Sequence, residues 1–163
     1  MKHTQAIPNK ILNETQLQQE LKRWRLHNKK IVFTNGVFDL LHQGHIASLC
    51  EAASLGDILI VGVNADASVK RLKGDNRPVL GEQERALILA SLLMTDAVVL
   101  FETDTPRDLI VSILPDVLVK GGDYTIDKIA GATEVIAAGG HVHLANIVDG
   151  ISTSVIIEKL KNK

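Results

Sequence analysis

The sequence has a single cysteine, Cys50, among its 163 residues. No intrachain disulfide can form, so a reducing compartment is expected. Aromatic residues make up 3% of the chain, which leaves little for the stacking platforms that hold single-stranded nucleic acid. Neither sign of charge is in excess: 18 Lys and Arg face 19 Asp and Glu, for a formal net charge of −1. A general nucleic-acid binder usually carries a basic surplus, so nucleic acid is not an expected partner. No apolar run approaches the ~18–20 residues that cross a bilayer. Residues 1–10 lack the apolar core of a signal peptide. No membrane partner is expected, and the cytoplasm is the expected location. Neither a G-x-x-x-x-G-K-[ST] loop nor a G-x-G-x-x-G fingerprint occurs, which disfavours a P-loop kinase and a dinucleotide dehydrogenase.

What is present is an ordinary globular composition, 45% hydrophobic and 23% charged, in a chain long enough to bury a core. β-branched and apolar runs predict strands at 30–34, 57–63, 97–101, 116–120 and 141–145. Helical spacing predicts a first helix capped by Asn13 with Leu17, Leu21 and Trp24 on one face. Further helices are expected at 46–55, 82–93, 106–113, 131–138 and 152–161, and 64–81 reads as a polar loop. Cys50 is expected to fill core space in the second helix. Strands alternating with helices predict an α/β fold: a Rossmann-like, doubly wound, parallel five-stranded sheet with helices on both faces. Ligands of such sheets lie beyond the carboxyl ends of the strands, where strand order reverses.

The stretch Thr34-Asn35-Gly36-Val37-Phe38-Asp39-Leu40-Leu41-His42-Gln43-Gly44-His45 falls at that end of the first strand. It leads into a helix, whose N-terminus offers unpaired N–H groups and partial positive charge to a phosphate. Gly44 lets phosphate oxygens approach the backbone, and His42 and His45 add donors. The reading is a triphosphate grip of the kind a nucleotidyltransferase needs. A metal site built on the two imidazoles is the competing reading.

Other stretches join the first. Lys70, Arg71, Lys73 and Arg77 crowd the 64–81 segment, either as a solvated face or as an anion clamp made mobile by Gly74 and Gly81. Arg85 sits in the first turn of a helix, where a cation is mildly disfavoured, so it is a candidate anion partner. Lys120-Gly121-Gly122-Asp123-Tyr124 ends a strand and could carry a sugar or base. Ser152, Thr153 and Ser154 open the last helix as caps or as a second phosphate-binding N-terminus. His3, His27, His141 and His143 have no such setting, and the last two read as partly exposed strand residues.

These pieces together resemble the cytidylyltransferase-like nucleotidyltransferase superfamily, marked by His-x-Gly-His after strand one and a Ser/Thr-rich helix start near the C-terminus. Several stretches look like the D-glycero-β-D-manno-heptose 1-phosphate adenylyltransferases: residues 34–39, 68–74 with Arg77-Pro78-Val79, Asp104-Thr105-Pro106, 118–124 and Ala137-Ala138-Gly139-Gly140. Two departures separate the chain from other branches. Ile157 stands where the pantetheine-phosphate and nicotinamide-mononucleotide enzymes carry arginine. Val148-Asp149 precede Gly150 where the glycerol-phosphate cytidylyltransferases carry Arg-Thr-Glu. The resemblance runs from about Lys30, which divides the chain into a helical extension at 1–29 and a nucleotidyltransferase domain at 30–163. It implies transfer of AMP from ATP to heptose 1-phosphate, giving ADP-heptose for lipopolysaccharide core synthesis. A glycerol-3-phosphate cytidylyltransferase-like enzyme or a non-catalytic nucleotide-binding protein is the alternative.

The expected site has His42, His45 and Lys73 as catalytic groups. Thr34, Asn35, Gly36, Phe38, Gly44, Arg85, Ser152, Thr153 and Ser154 hold the nucleotide. Asp39, Arg77, Lys120, Gly121, Gly122, Asp123 and Tyr124 hold the acceptor. No carboxylate cluster calls for a protein-built metal cage, so Mg²⁺ is expected mainly on the ATP phosphates. The heptose kinase is expected on a separate chain, and the oligomeric state, a homo-oligomer included, stays open.

Overall fold

The computed structural model describes residues 4–122, 124–146 and 152–161; Asp123, Val148, Asp149 and Gly150, singled out above, lie outside them. Five parallel strands form one sheet: β1 Ile31–Gly36, β2 Ile58–Asn64, β3 Ala97–Phe101, β4 Val117–Gly121 and β5 His141–Ala145. Their order is β3-β2-β1-β4-β5, so strand order reverses between β1 and β4. Phe33 is in register with Ile60 on one side and Leu118 on the other.

Alternation along each strand sends side chains to opposite faces. Ile31, Phe33, Ile60 and Leu118 join a core layer with Leu17, Leu21 and Trp24 of α1 (Glu14–Leu26), and with α5 (Arg107–Ile113) and α6 (Ala132–Ala137). Val32, Leu59, Val61 and Val119 pack on the other face with Leu49 and Ala52 of α2 (Gln43–Ala53) and Ala86 and Leu89 of α4 (Glu82–Ala90). Each such fully buried aliphatic side chain contributes roughly 1.5–3 kcal/mol. Asn13 caps α1 as expected, accepting from the Gln16 amide at 2.9 Å.

Both ends of the sheet have a distinct treatment. At the amino end, the carboxylates of Asp57, Asp96 and Asp116 accept the amides of Lys30, Leu59 and Ile31 at 2.7–2.8 Å. Each aspartate sits just before one strand and accepts an amide at the start of its neighbour, which pins the register. The carboxyl end is left to the site. On the β3 edge, Ile11 bridges Val98 in parallel, and the Leu12 amide donates to the Val98 carbonyl at 2.9 Å. Lys10 Nζ donates to the Thr95 carbonyl at 2.6 Å.

Three expectations are corrected. Residues 64–81 are not all loop: Asp66–Lys73 form a helix, α3, whose first amide is accepted by the Glu82 carboxylate at 2.7 Å. Helix α2 begins at Gln43 instead of near residue 46, because His42 takes the cap position. Cys50 is exposed; Leu49 and Ala52 supply the buried face of α2 instead.

Candidate functional site

β1 ends in the left-handed turn that sets the site. Phe38 and Leu40 have φ of 52° and 53°, a conformation costly for side-chain-bearing residues. Asp39, between them, is 1% exposed and holds the turn from inside. Its carboxylate accepts the amides of Val79 (2.9 Å) and Leu80 (3.0 Å) and Arg77 Nε at 2.8 Å. Burial would raise its pKa, but those two amides and the guanidinium outweigh it and keep the carboxyl below its ordinary range. Gly36 leaves room for the turn: a Cβ there would stand 3.1 Å from the Phe38 ring.

The turn delivers two imidazoles. His42 is the N-cap of α2 and His45 lies in its first turn. Their rings stack at 3.8 Å between centroids, and Phe38 closes on His45 at 5.4 Å. His45 Nδ1 accepts the His42 backbone N–H at 3.4 Å, which in the neutral ring leaves Nε2 as donor. Burial, then the neighbouring His42 and the Lys73 ammonium, push the His45 pKa down to about 4. Burial lowers His42 as well. Both rings are therefore neutral near pH 7. His42 Nδ1 is buried with no hydrogen-bond partner among the described residues.

A cavity of about 210 Å³ opens beside His45, lined by Thr34, Asn35, Gly36, Phe38, Lys120 and Tyr124, with Ser48, Leu49 and Gly121. Lys120 reaches across from β4, and its Nζ donates to Asn35 Oδ1 at 3.3 Å. A second helix N-terminus meets the same turn. α7 (Thr153–Lys161) begins there, and Thr153 Oγ1 donates to the Asp39 carbonyl at 2.7 Å. Ser154 lines an open cleft with Asn76, Arg77 and Val79, and Ser152 Oγ accepts the Val155 amide at 3.3 Å.

The structure thus sets Lys120, Gly121 and Tyr124 across a cavity from the end of β1 and His45, and the start of α7 against the Asp39 carbonyl of the same turn. Lys73, in the last turn of α3, is close enough to depress His45. Two expected ligands are placed differently. Arg85 is 1% exposed. Its guanidinium donates to the carbonyls of Leu80, Val37 and Asn64 and pairs with Asp66 at 2.7 Å. It therefore ties the turn after β1 to the starts of α3 and α4 from within the fold. Asp39 likewise spends both oxygens within the protein and does not face an acceptor. Arg71 turns away to Asp104 and the Glu102 carbonyl. Ser48, three residues after His45 on the same helix face, also lines the cavity. Gly122 follows β4 with φ of 118°, and a Cβ there would stand 3.0 Å from the Tyr124 ring.

Residues 33–159 match the family model described as Cytidylyltransferase-like. The chain is 53% identical over 152 residues to the Bifunctional protein HldE of Yersinia enterocolitica, covering 93% of this chain and 32% of that protein. The protein of that name from Proteus mirabilis is 54% identical over 153 residues, covering 94% and 32%. The Koribacter versatilis protein is 51% identical over 150 residues, covering 92% and 31%. This chain spans about a third of the length of these curated relatives. Among solved structures, the lipopolysaccharide core biosynthesis protein from Thermoplasma volcanium superposes with a TM-score of 0.59 at 30% identity, over 74% of this chain and 97% of that one. Pantoate-beta-alanine ligase from Francisella tularensis, at 15% identity and a TM-score of 0.61 over 93% of this chain and 76% of that one, shares the fold. With its sheet order, its imidazole-bearing helix start and these matches all in agreement, the chain belongs to the cytidylyltransferase-like family.

Proposed function

We propose that the chain transfers AMP from MgATP to a sugar 1-phosphate, D-glycero-β-D-manno-heptose 1-phosphate, releasing pyrophosphate and ADP-heptose for lipopolysaccharide core synthesis in the cytoplasm. The observation that carries this reading is the convergence of two helix N-termini on one turn: α2 with its stacked imidazoles and α7 tied to Asp39 through Thr153. Such a pair grips a polyphosphate from two sides. The identity of 51–54% to the bifunctional relatives supports the acceptor. So does the name of the Thermoplasma neighbour.

The acceptor is a phosphate monoester, anionic at neutral pH, and needs no general base. One of its oxygens attacks the α-phosphorus in line. His42 and His45 donate to phosphate oxygens, and Lys73 offsets charge on the leaving pyrophosphate. Mg²⁺ enters with ATP, as part of the substrate, on phosphate oxygens and its own waters. A kinase must supply the sugar 1-phosphate.

Pyrophosphate release across a matrix of nucleoside triphosphates and phosphorylated acceptors tests this. ATP with the heptose β-1-phosphate should be the best pair. Faster turnover of CTP with glycerol 3-phosphate would overturn the acceptor and the base. ATP binding without pyrophosphate release on any acceptor would make the chain a nucleotide-binding protein instead.

A further inference from the structure

Lys120 stands at the carboxyl end of β4, beside β1, where strand order reverses. Doubly wound sheets receive ligands at that point. Its side chain is half-buried, and that burial pushes its pKa below the ordinary lysine value. For company it has Asn35 Oδ1 at 3.3 Å and the Tyr124 ring, whose centroid lies 5.6 Å from Nζ. No carboxylate pairs with it among the described residues. Among the described residues this part-buried cation meets one amide oxygen and one ring face and no anion.

The cavity it lines, about 210 Å³, falls below the roughly 300–1,000 Å³ of sites for drug-sized ligands. It suits a phosphate with part of a sugar, not a whole nucleoside triphosphate. Ser48 shares the helix face of His45 and lines the same cavity. Its Oγ stands 3.6 Å from the point where a Cβ on Gly121 would be. Lys73 of α3 and the start of α7 do not line this cavity.

We propose that Lys120 and Ser48 seat the phosphate of the acceptor, with His45 on the adjoining wall marking where the nucleotide's α-phosphorus comes to lie. This rests on the adenylyl-transfer reading above. Lys120 holds one non-bridging oxygen of the acceptor phosphate and offsets its repulsion by the triphosphate. A second oxygen forms the new bond to the α-phosphorus. The bond from that phosphorus to the bridging oxygen breaks, and pyrophosphate leaves with the electron pair. No proton is transferred.

Three variants test the seat: Lys120→Met, Ser48→Ala and Gly121→Ala. The last puts a methyl group into the cavity at ordinary contact distance from Ser48 Oγ, so it narrows the seat without straining the fold. Lys120→Met and Gly121→Ala should each raise the acceptor KM and Kd by about tenfold or more, the scale of a hydrogen bond to a charged group. Ser48→Ala should shift them less, in the same direction. The ATP Kd should stay within about twofold, because Lys73 and the start of α7, which meet the nucleotide's phosphates, do not line this cavity. Equal weakening of ATP, or no change in either ligand, would overturn the seat. Inorganic phosphate, titrated by ³¹P NMR into protein saturated with α,β-methylene-ATP, reads the seat apart from turnover. Wild type should bind it and Lys120→Met should not. Phosphate binding through Lys120 in a protein that turns over no sugar 1-phosphate would sink the adenylyl-transfer reading and leave the anion seat standing. Full turnover with unchanged phosphate binding in Lys120→Met would do the reverse. Should Lys120→Met lose its fold, Gly121→Ala carries the same comparison.

Discussion

His45 has two duties that separate chemically. Nδ1 accepts the His42 amide, while the other nitrogen is left to donate. A glutamine at this third helical position keeps an acceptor for the cap and removes the imidazole donor. His45→Gln should therefore lower kcat by ~10²-fold or more, the usual cost of losing a preorganised donor. Its melting temperature should barely change; a variant that keeps full activity would remove His45 from the reaction. Acid titration gives a second expectation. The folded pKa of about 4 lies below the ordinary histidine value of 6.5. Between those values the unfolded chain binds a proton that the folded chain refuses, so stability falls as pH drops from about 6.5 toward 4. His42 acts in the same direction. Thermal melts over that range should show a steeper loss in wild type than in His45→Gln. The place of the two imidazoles at a strand–helix junction was legible because residue type and spacing are local signals. Arg85 and Asp39 were misread because their partners come from up to 48 residues away in sequence. Burial by distant segments leaves no mark on the immediate neighbours of a charged residue.

At the scale of elements, the strands and most helices could be read from apolar runs and caps, since a parallel sheet buries both faces of its strands. α3 could not. Its eight residues include Lys70, Arg71 and Lys73, only Ser68 and Val69 are buried, and its first amide depends on Glu82 of α4. The chain between α3 and α4 is less a free lid than a segment clipped at 77–80 to the turn after β1. The clip is the Asp39–Arg77 pair, whose side chains are 1% and 15% exposed. Asp39→Asn leaves the guanidinium unpaired and weakens the acceptor for two amides. Losing one partner of a buried pair costs about 3–5 kcal/mol. Hydrogen exchange should speed up at Val79 and Leu80 in this variant, and turnover should fall because α7 docks on the same turn through Thr153. Unchanged exchange at those two amides would show that the clip does not hold the segment.

Across the whole molecule, α1 is built into the fold: Leu17, Leu21 and Trp24 share one core layer with Phe33, Ile60 and Leu118. Leu21 is 1% exposed. Leu21→Ala should cost about 2–5 kcal/mol, the range for deleting a buried leucine side chain. The denaturation midpoint should drop with the slope unchanged; a loss below about 1 kcal/mol would mean that α1 detaches independently. The stretch just before α1 acts on a different property. An outer strand presents a row of open amides and carbonyls that another chain can extend, and natural sheets guard against it. Here Ile11 and Leu12 lie along β3 and occupy the Val98 carbonyl, while Lys10 reaches round to the Thr95 carbonyl. A charged residue and a two-residue splint therefore close that flank to strand addition by a neighbouring molecule, and the chain resists edge-to-edge aggregation along β3.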